Sequence, residues 1–273
     1  MLRIPYCFVK EDVIDKFEND KQFYNWISTN IKEDRIKRVK NGLYVTLDSM
    51  GSLSSNKFEI ASKITKTAFI AYHSALEFYG LANQVYNTVI VGSKTKFHTF
   101  EFEDIEYEGV MVKNYHGVNF IEKANVRVSS LERTIIDCID NINLAGGIEE
   151  VLNALEQVSK INESKLLAAL SSYNNIFLYQ KTGYILEHFK ASMNLSDSFF
   201  IECENKVNNT VKYFLQDEYS NIKYNSISFN VNILCDCNIS RVYISFLTNG
   251  SIWHLFIKLI SIFMLSLFPE LLI

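Results

Sequence analysis

The chain has 273 residues, a formal net charge of -4 and 48% apolar residues. With 21% charged residues and two prolines, it carries enough apolar material for a packed core, which excludes a disordered or collagen-like chain. The net negative charge also excludes nucleic-acid binding driven by overall charge, so any such contact must rest on a local basic patch.

The opening, Met1 to Asp12, has no long apolar run after its basic residue and does not read as a secretory signal. Phe8, Val9, Val13, Ile14 and Phe17 recur at helical spacing, which predicts a first helix over Phe8 to Glu18. Phe23, Trp26, Ile27 and Ile31 predict a second over Asn19 to Ile31, with Asn19 or Asp20 as its N-cap. The joint between the two is short, so they must cross sharply, as in a helix-turn-helix. The stretch RIKRVKNGLYV, Arg35 to Val45, then sets Asn41-Gly42 between two strands, a strong hairpin signal. Two helices followed by a basic hairpin describe a winged helix-turn-helix over residues 1–48.

Asp48 to Lys57 is small, polar and rich in Gly and Ser, so residues 49–57 are the expected linker. Beyond it, KFEIASKI reads as a helix, and Ala71 to Gln84 as another that Gly80 is placed to end. Thr88 to Ser93 reads as a buried strand, and Phe97 to Tyr115 as two strands turning near Gly109. A strand at VRVSS leads into a helix capped by Ser129 or Ser130, with Leu131, Ile135 and Ile136 inward. Three further amphipathic helices follow, in GGIEEVLNALEQV, NESKLLAALSSY and Tyr179 to Met193. The expected architecture is α+β: the winged helix, then a larger domain over residues 58–225 with a small, mainly antiparallel sheet and several helices.

Residues 226–273 differ. Ile252 to Ile273 is almost wholly apolar, but His254 and Lys258 interrupt it, and a membrane span needs about 20 apolar residues. A buried helix, a weak membrane anchor and a tail altered by frameshift or read-through all fit. The shift in composition after about Asn238 favours the last, so membrane attachment is not expected.

The candidate chemistry lies in the first domain. The exposed face of the second helix offers Lys21, Gln22, Asn25, Ser28 and Thr29, and Gln and Asn can pair bidentately with adenine in the major groove. The hairpin offers Arg35, Lys37, Arg38 and Lys40 for phosphate contact. Strict alternation puts Arg35, Lys37 and Val39 on one face and Ile36, Arg38 and Lys40 on the other, so Arg38 and Lys40 flank the tip. A solvated surface hairpin is the plainer reading of the same charge; pattern, position and charge together favour double-stranded DNA. Asp12, Asp15, Glu18, Glu33 and Asp34 nearly cancel the positive charge, so one copy should bind modestly and a dimer on promoter repeats more tightly.

Signs of catalysis are sparse. The chain has no H-E-x-x-H, G-x-S-x-G, P-loop or G-x-G-x-x-G. Asp197 with Glu204-Asn205-Lys206 is similar to a nuclease D…E-x-K set. It carries the alternative reading, a metal-dependent nuclease or other defence effector targeted by the winged helix. Arg133 and Asp137, at i, i+4, are expected to form a structural ion pair, and His73 to be a satisfied or interfacial histidine. Cys235-x-Cys237 lacks the second pair that structural zinc needs, so no metal and no cofactor is expected. The five scattered cysteines point to reduced thiols and a cytoplasmic protein.

In sequence order, RIKRVKNGLYV, FEIASKI…AFIAYHSALEFYGLANQV, VRVSSLERTIIDCID and KTGYILE resemble the AbiEi family. These are antitoxins and transcriptional regulators of type IV toxin–antitoxin systems, which act in abortive infection and viral defence. The likeness covers Phe8 to Phe189, and SALEFYGL and SSLERTIID are its specific blocks. It implies an N-terminal DNA-binding domain that represses its own operon and a C-terminal domain that counteracts a nucleotidyltransferase-like toxin, with no enzymatic activity. The chain begins close to its first predicted helix, so the leading helix common in winged helices is not expected here. After about Asn225 it no longer resembles the family.

Overall fold

Alternation along three short strands organises the N-terminal part. In the computed structural model, which describes residues 4–206, β1 (Cys7–Val9), β2 (Ile36–Lys40) and β3 (Leu43–Thr46) form an antiparallel sheet in the order β1-β3-β2. Helix α1 (Asp20–Lys32) lies between β1 and β2 in the chain, and Asn19 caps it by accepting the Gln22 N–H at 3.0 Å. Phe8, Ile36 and Tyr44 join Val13, Phe23 and Ile27 in an aromatic-rich core on one side of the sheet. Cys7, Leu43 and Val45 project to the other side and share a core with Ile60, Val89, Val91 and Tyr107. The small sheet is therefore buried on both faces. Gly42, at φ +80°, closes the β2–β3 turn in a conformation that suits glycine.

Phe8 to Glu18 is not the α-helix its spacing predicts. Cys7, Phe8 and Val9 pair instead with Val45, Tyr44 and Leu43, and two 3₁₀ turns follow, Lys10–Asp12 and Ile14–Lys16. Strand pairing here outweighs local periodicity.

The stretch after β3 is held by Asp48, whose Oδ1 accepts the N–H groups of Met50 (2.8 Å) and Ser52 (2.9 Å). Asn56 then caps α2 (Lys57–Lys63). Next come β4 (Phe69–Ile70), α3 (Tyr72–Phe78), β5 (Thr88–Ser93), β6 (Phe100–Phe102), β7 (Ile105–Met111), β8 (Val118–Ile121) and β9 (Val126–Ser129). Strands β4 to β9 form a six-stranded sheet in the order β6-β7-β5-β4-β9-β8. It is mixed: β4–β5, β6–β7 and β8–β9 are antiparallel, as expected of most of the sheet, but β4 runs parallel to β9, and β5 to β7. Neither pair joins consecutive strands, and local alternation cannot reveal such crossings.

The β6–β7 turn is Glu103-Asp104, both with positive φ, and not Gly109. Gly109 lies within β7 opposite Val91, where a Cβ would sit 3.0 Å from the Phe97 ring. Helix α3 stops at Phe78, and Gly80 follows at φ +72°.

The remaining helices are α4 (Leu131–Asp140), α5 (Ile148–Glu156), α6 (Glu163–Tyr173), α7 (Ile176–Glu187), α8 (Lys190–Met193) and α9 (Asp197–Lys206). Ser130 caps α4, which is buried on nearly every side and packs against α3, α5, α6 and α7. The helix expected over Tyr179 to Met193 is broken near Phe189 into α7 and α8. Cys235, Cys237, His254 and the apolar stretch from Ile252 lie outside the described residues.

Candidate nucleic-acid interface

Helix α1 turns Phe23, Ile27 and Asn30 to the core. Its other side carries a straight exposed stripe, Lys21, Asn25, Ser28 and Lys32, at i, i+4, i+7 and i+11. Tyr24 and Thr29 flank the stripe, and both are exposed. Lys21 and Lys32 have no acidic partner among the described residues. Lys32 and Tyr24 are absent from the candidates drawn from the sequence, although the same spacing that selects Lys21 and Asn25 also selects Lys32. Gln22 is differently placed: its Oε1 accepts the Glu18 N–H at 2.7 Å, which draws its side chain back toward the helix start.

The hairpin splits its four basic residues. Lys37 lies opposite Val45, on the side facing the large sheet, and Arg38 lies opposite Tyr44, on the α1 side. A bulge between Arg38 and Lys40 then breaks the alternation, so Lys40 pairs with Leu43. Lys40 consequently does not share the Arg38 face. Its ammonium donates to the Ile64 carbonyl at 3.3 Å and lies over the Phe97 and Phe100 rings at 5.3 and 5.6 Å. Burial holds its pKa below the usual lysine range. Arg35 donates through Nε to Asn30 Oδ1 at 2.9 Å and pairs with Glu33. Lys37 pairs with Glu103 at 2.6 Å. Arg38 stacks over Tyr44, 5.8 Å from the ring centroid, with no carboxylate partner among the described residues. On α1 and the hairpin, the cations open to a phosphate without breaking an ion pair among the described residues are thus Lys21, Lys32 and Arg38.

Two buried polar groups lie elsewhere. Arg133 donates to Asp137 (3.1 Å) and to the carbonyls of His116 (2.5 Å) and Asn114 (3.0 Å), and covers the Phe69 ring at 4.9 Å. The Tyr173 hydroxyl donates to the other Asp137 oxygen. Burial raises the Asp137 pKa more than Arg133 and Tyr173 lower it. Tyr72 opens α3 beside this group at φ +51°, an uncommon conformation for a bulky residue, and burial and Asp137 push its hydroxyl pKa up. Every polar atom of the Arg133 side chain is used inside the protein, so the group fastens α4, α6 and the loop before β8 together.

His73 is buried, with Nε2 3.2 Å from Glu150 Oε1. The same oxygen accepts the Asn83 and Gln84 N–H groups at 2.7 and 3.2 Å, which ties the loop after α3 to α5.

Asp197, Glu204 and Lys206 all lie on α9. Asp197 and Glu204 are about two turns apart, on the order of 10 Å along the axis. Asp197 pairs with Lys190, and Lys206 approaches Glu202 at 3.9 Å, so this trio does not converge. Among the described residues no group of three or more His, Cys, Asp or Glu is placed to hold a metal, and no helix is long and apolar enough to cross a membrane.

No family model matches the chain, and no curated protein matches it. Among solved structures it is similar to the crystal structure of RV2827C protein from Mycobacterium tuberculosis, with a TM-score of 0.52 and 10% identity over 76% of this chain and 78% of that one. At that identity the likeness is one of fold.

Proposed function

We propose that this protein is a DNA-binding transcriptional repressor whose N-terminal part works as a winged helix. In this reading α1 enters the major groove and the β2–β3 hairpin is the wing. The observation that carries it is the pairing of the exposed Lys21, Asn25, Ser28, Lys32 stripe with an unpaired Arg38 on the neighbouring hairpin. The β1-β3-β2 sheet supports it in one respect, backing α1 and leaving that helix's polar face to solvent, while strand β1 and two 3₁₀ turns stand where the motif has its first helix. Asn25 reads a base edge, and Lys21, Lys32 and Arg38 hold phosphates.

The resemblance to AbiEi proteins extends the proposal. The protein is the antitoxin of a type IV toxin–antitoxin operon, represses its own promoter as a dimer on repeated sites, and counteracts a nucleotidyltransferase-like toxin. It has no catalytic role of its own.

Titrating the protein onto a duplex of its own promoter at several salt concentrations tests the DNA-binding core. Arg38→Ala should weaken binding and reduce the slope of log K against log salt by about 0.9. Lys40→Ala, whose ammonium is used internally, should leave that slope unchanged. Equal slopes for wild type and Arg38→Ala would remove the hairpin from the interface.

A further inference from the structure

We infer that Glu103 is a built-in competitor for the phosphate that Lys37 would otherwise hold, so that the β6–β7 turn sets the DNA affinity of the β2–β3 hairpin. This rests on the reading of that hairpin as a DNA contact.

The two hairpins meet at several points. Lys37 Nζ lies 2.6 Å from Glu103 Oε1, and Lys40 lies over the rings of Phe97 and Phe100, the latter in β6. The β6–β7 hairpin is acidic along its length, with Glu101, Glu103, Asp104, Glu106 and Glu108, whereas the β2–β3 hairpin is basic. Glu103 sits at the first position of a two-residue turn, flanked by the Phe102–Ile105 pair. Its φ of +51°, beside +58° at Asp104, is a conformation that usually selects glycine or asparagine. A carboxylate is thus held at the tip of this turn and aimed at a lysine of the neighbouring hairpin.

The bridge is also open to exchange. The side chains of Lys37 and Glu103 are 46% and 41% exposed, so solvent and a phosphate oxygen can reach both. Exposed pairs of this kind are weak and salt-sensitive. A DNA phosphate near Lys37 has to displace Glu103 and also meets the charge of its displaced carboxylate. Loss of that carboxylate leaves Lys37 free to neutralise one more phosphate.

The test uses the full chain, a promoter duplex and fluorescence anisotropy over a range of salt. Glu103→Gln should raise affinity by roughly three- to tenfold and steepen the salt slope by about 0.9, the contribution of one additional neutralised phosphate. The steepening should vanish in a Lys37→Ala background. Asp104→Asn, which removes the same charge from the same turn but leaves the bridge, should not steepen the slope. Equal affinity and slope for wild type and Glu103→Gln overturn the competitor while leaving the interface standing, as does steepening that persists without Lys37. Binding by Glu103→Gln alone, with wild type silent, supports it. Failure of both proteins to bind any promoter duplex overturns the interface and the competitor together.

Discussion

Arg133 is a buried charged residue that ties distant parts of the fold together. Its guanidinium serves Asp137 and two backbone carbonyls at once, in a site from which water is excluded. Arg133→Met would remove those donors and leave Asp137 buried with only the Tyr173 hydroxyl. The expected loss is about 3–5 kcal/mol, read from urea unfolding. Arg133→Lys should recover only part of it, because an ammonium cannot reproduce the planar fork. A loss below about 1 kcal/mol in the Met variant would mean that the group is not the fastening described. The i, i+4 spacing made this ion pair legible in the sequence. The two carbonyls it also serves, in a loop that precedes it by some 17 residues, were not, since nothing local marks them. Lys40 departs from its expected face for a related reason: alternation holds up to Arg38, and a bulge then turns the next basic side chain to the other face.

Elements with strong end signals were read well. Asn19 and Ser130 each accept a backbone N–H at the start of the helix they precede, and the Asn41-Gly42 turn joins the expected strands. Asn19→Ala should therefore cost about 1 kcal/mol in thermal or urea unfolding and loosen the first turn of α1, which carries Lys21. Proton exchange at the Gln22 amide should rise with it; an unchanged amide would show that the cap contributes nothing. Elements defined by distant partners were read poorly. Phe8 to Glu18 has helical spacing, yet its first residues complete a sheet whose other strands lie some 35 residues on. The parallel β4–β9 and β5–β7 pairs likewise depend on chain crossings that hydrophobic pattern does not encode. The exposed face of α1 was legible from periodicity alone, whereas the hold of Glu103 on Lys37 spans 66 residues and left no trace in it.

At the scale of the whole described part, acids wholly or partly withdrawn from water shape the response to pH. Burial raises the pKa of Asp137, Asp140 and Glu187 above their ordinary values of 3.8, 3.8 and 4.5. One Glu187 oxygen is buried without a hydrogen-bond partner among the described residues. Between the unfolded and folded values the native state binds more protons than the unfolded chain, so stability falls as pH rises. The contribution is complete below the unfolded value and is lost as pH climbs through the folded one. Lys40 and Lys181, which burial depresses, act in the opposite sense at alkaline pH, where stability returns toward 10.5. Glu187→Gln cannot titrate. The melting temperature of wild type minus that of Glu187→Gln should therefore decline as pH increases from about 4 to 8. A flat or rising difference would contradict the assigned burial.

The two-sided burial of the β1-β3-β2 sheet also determines how this protein could be dissected or recombined. A free-standing DNA-reading module can be cut out and grafted onto another chain. Here a cut after the Asp48–Asn56 connection would strip Cys7, Val39, Leu43 and Val45 of their neighbours and lay bare an apolar sheet face. The hairpin and the large sheet are in that sense inseparable parts of a single device. Sequence change in one half is constrained by packing in the other, even at positions that never touch a ligand.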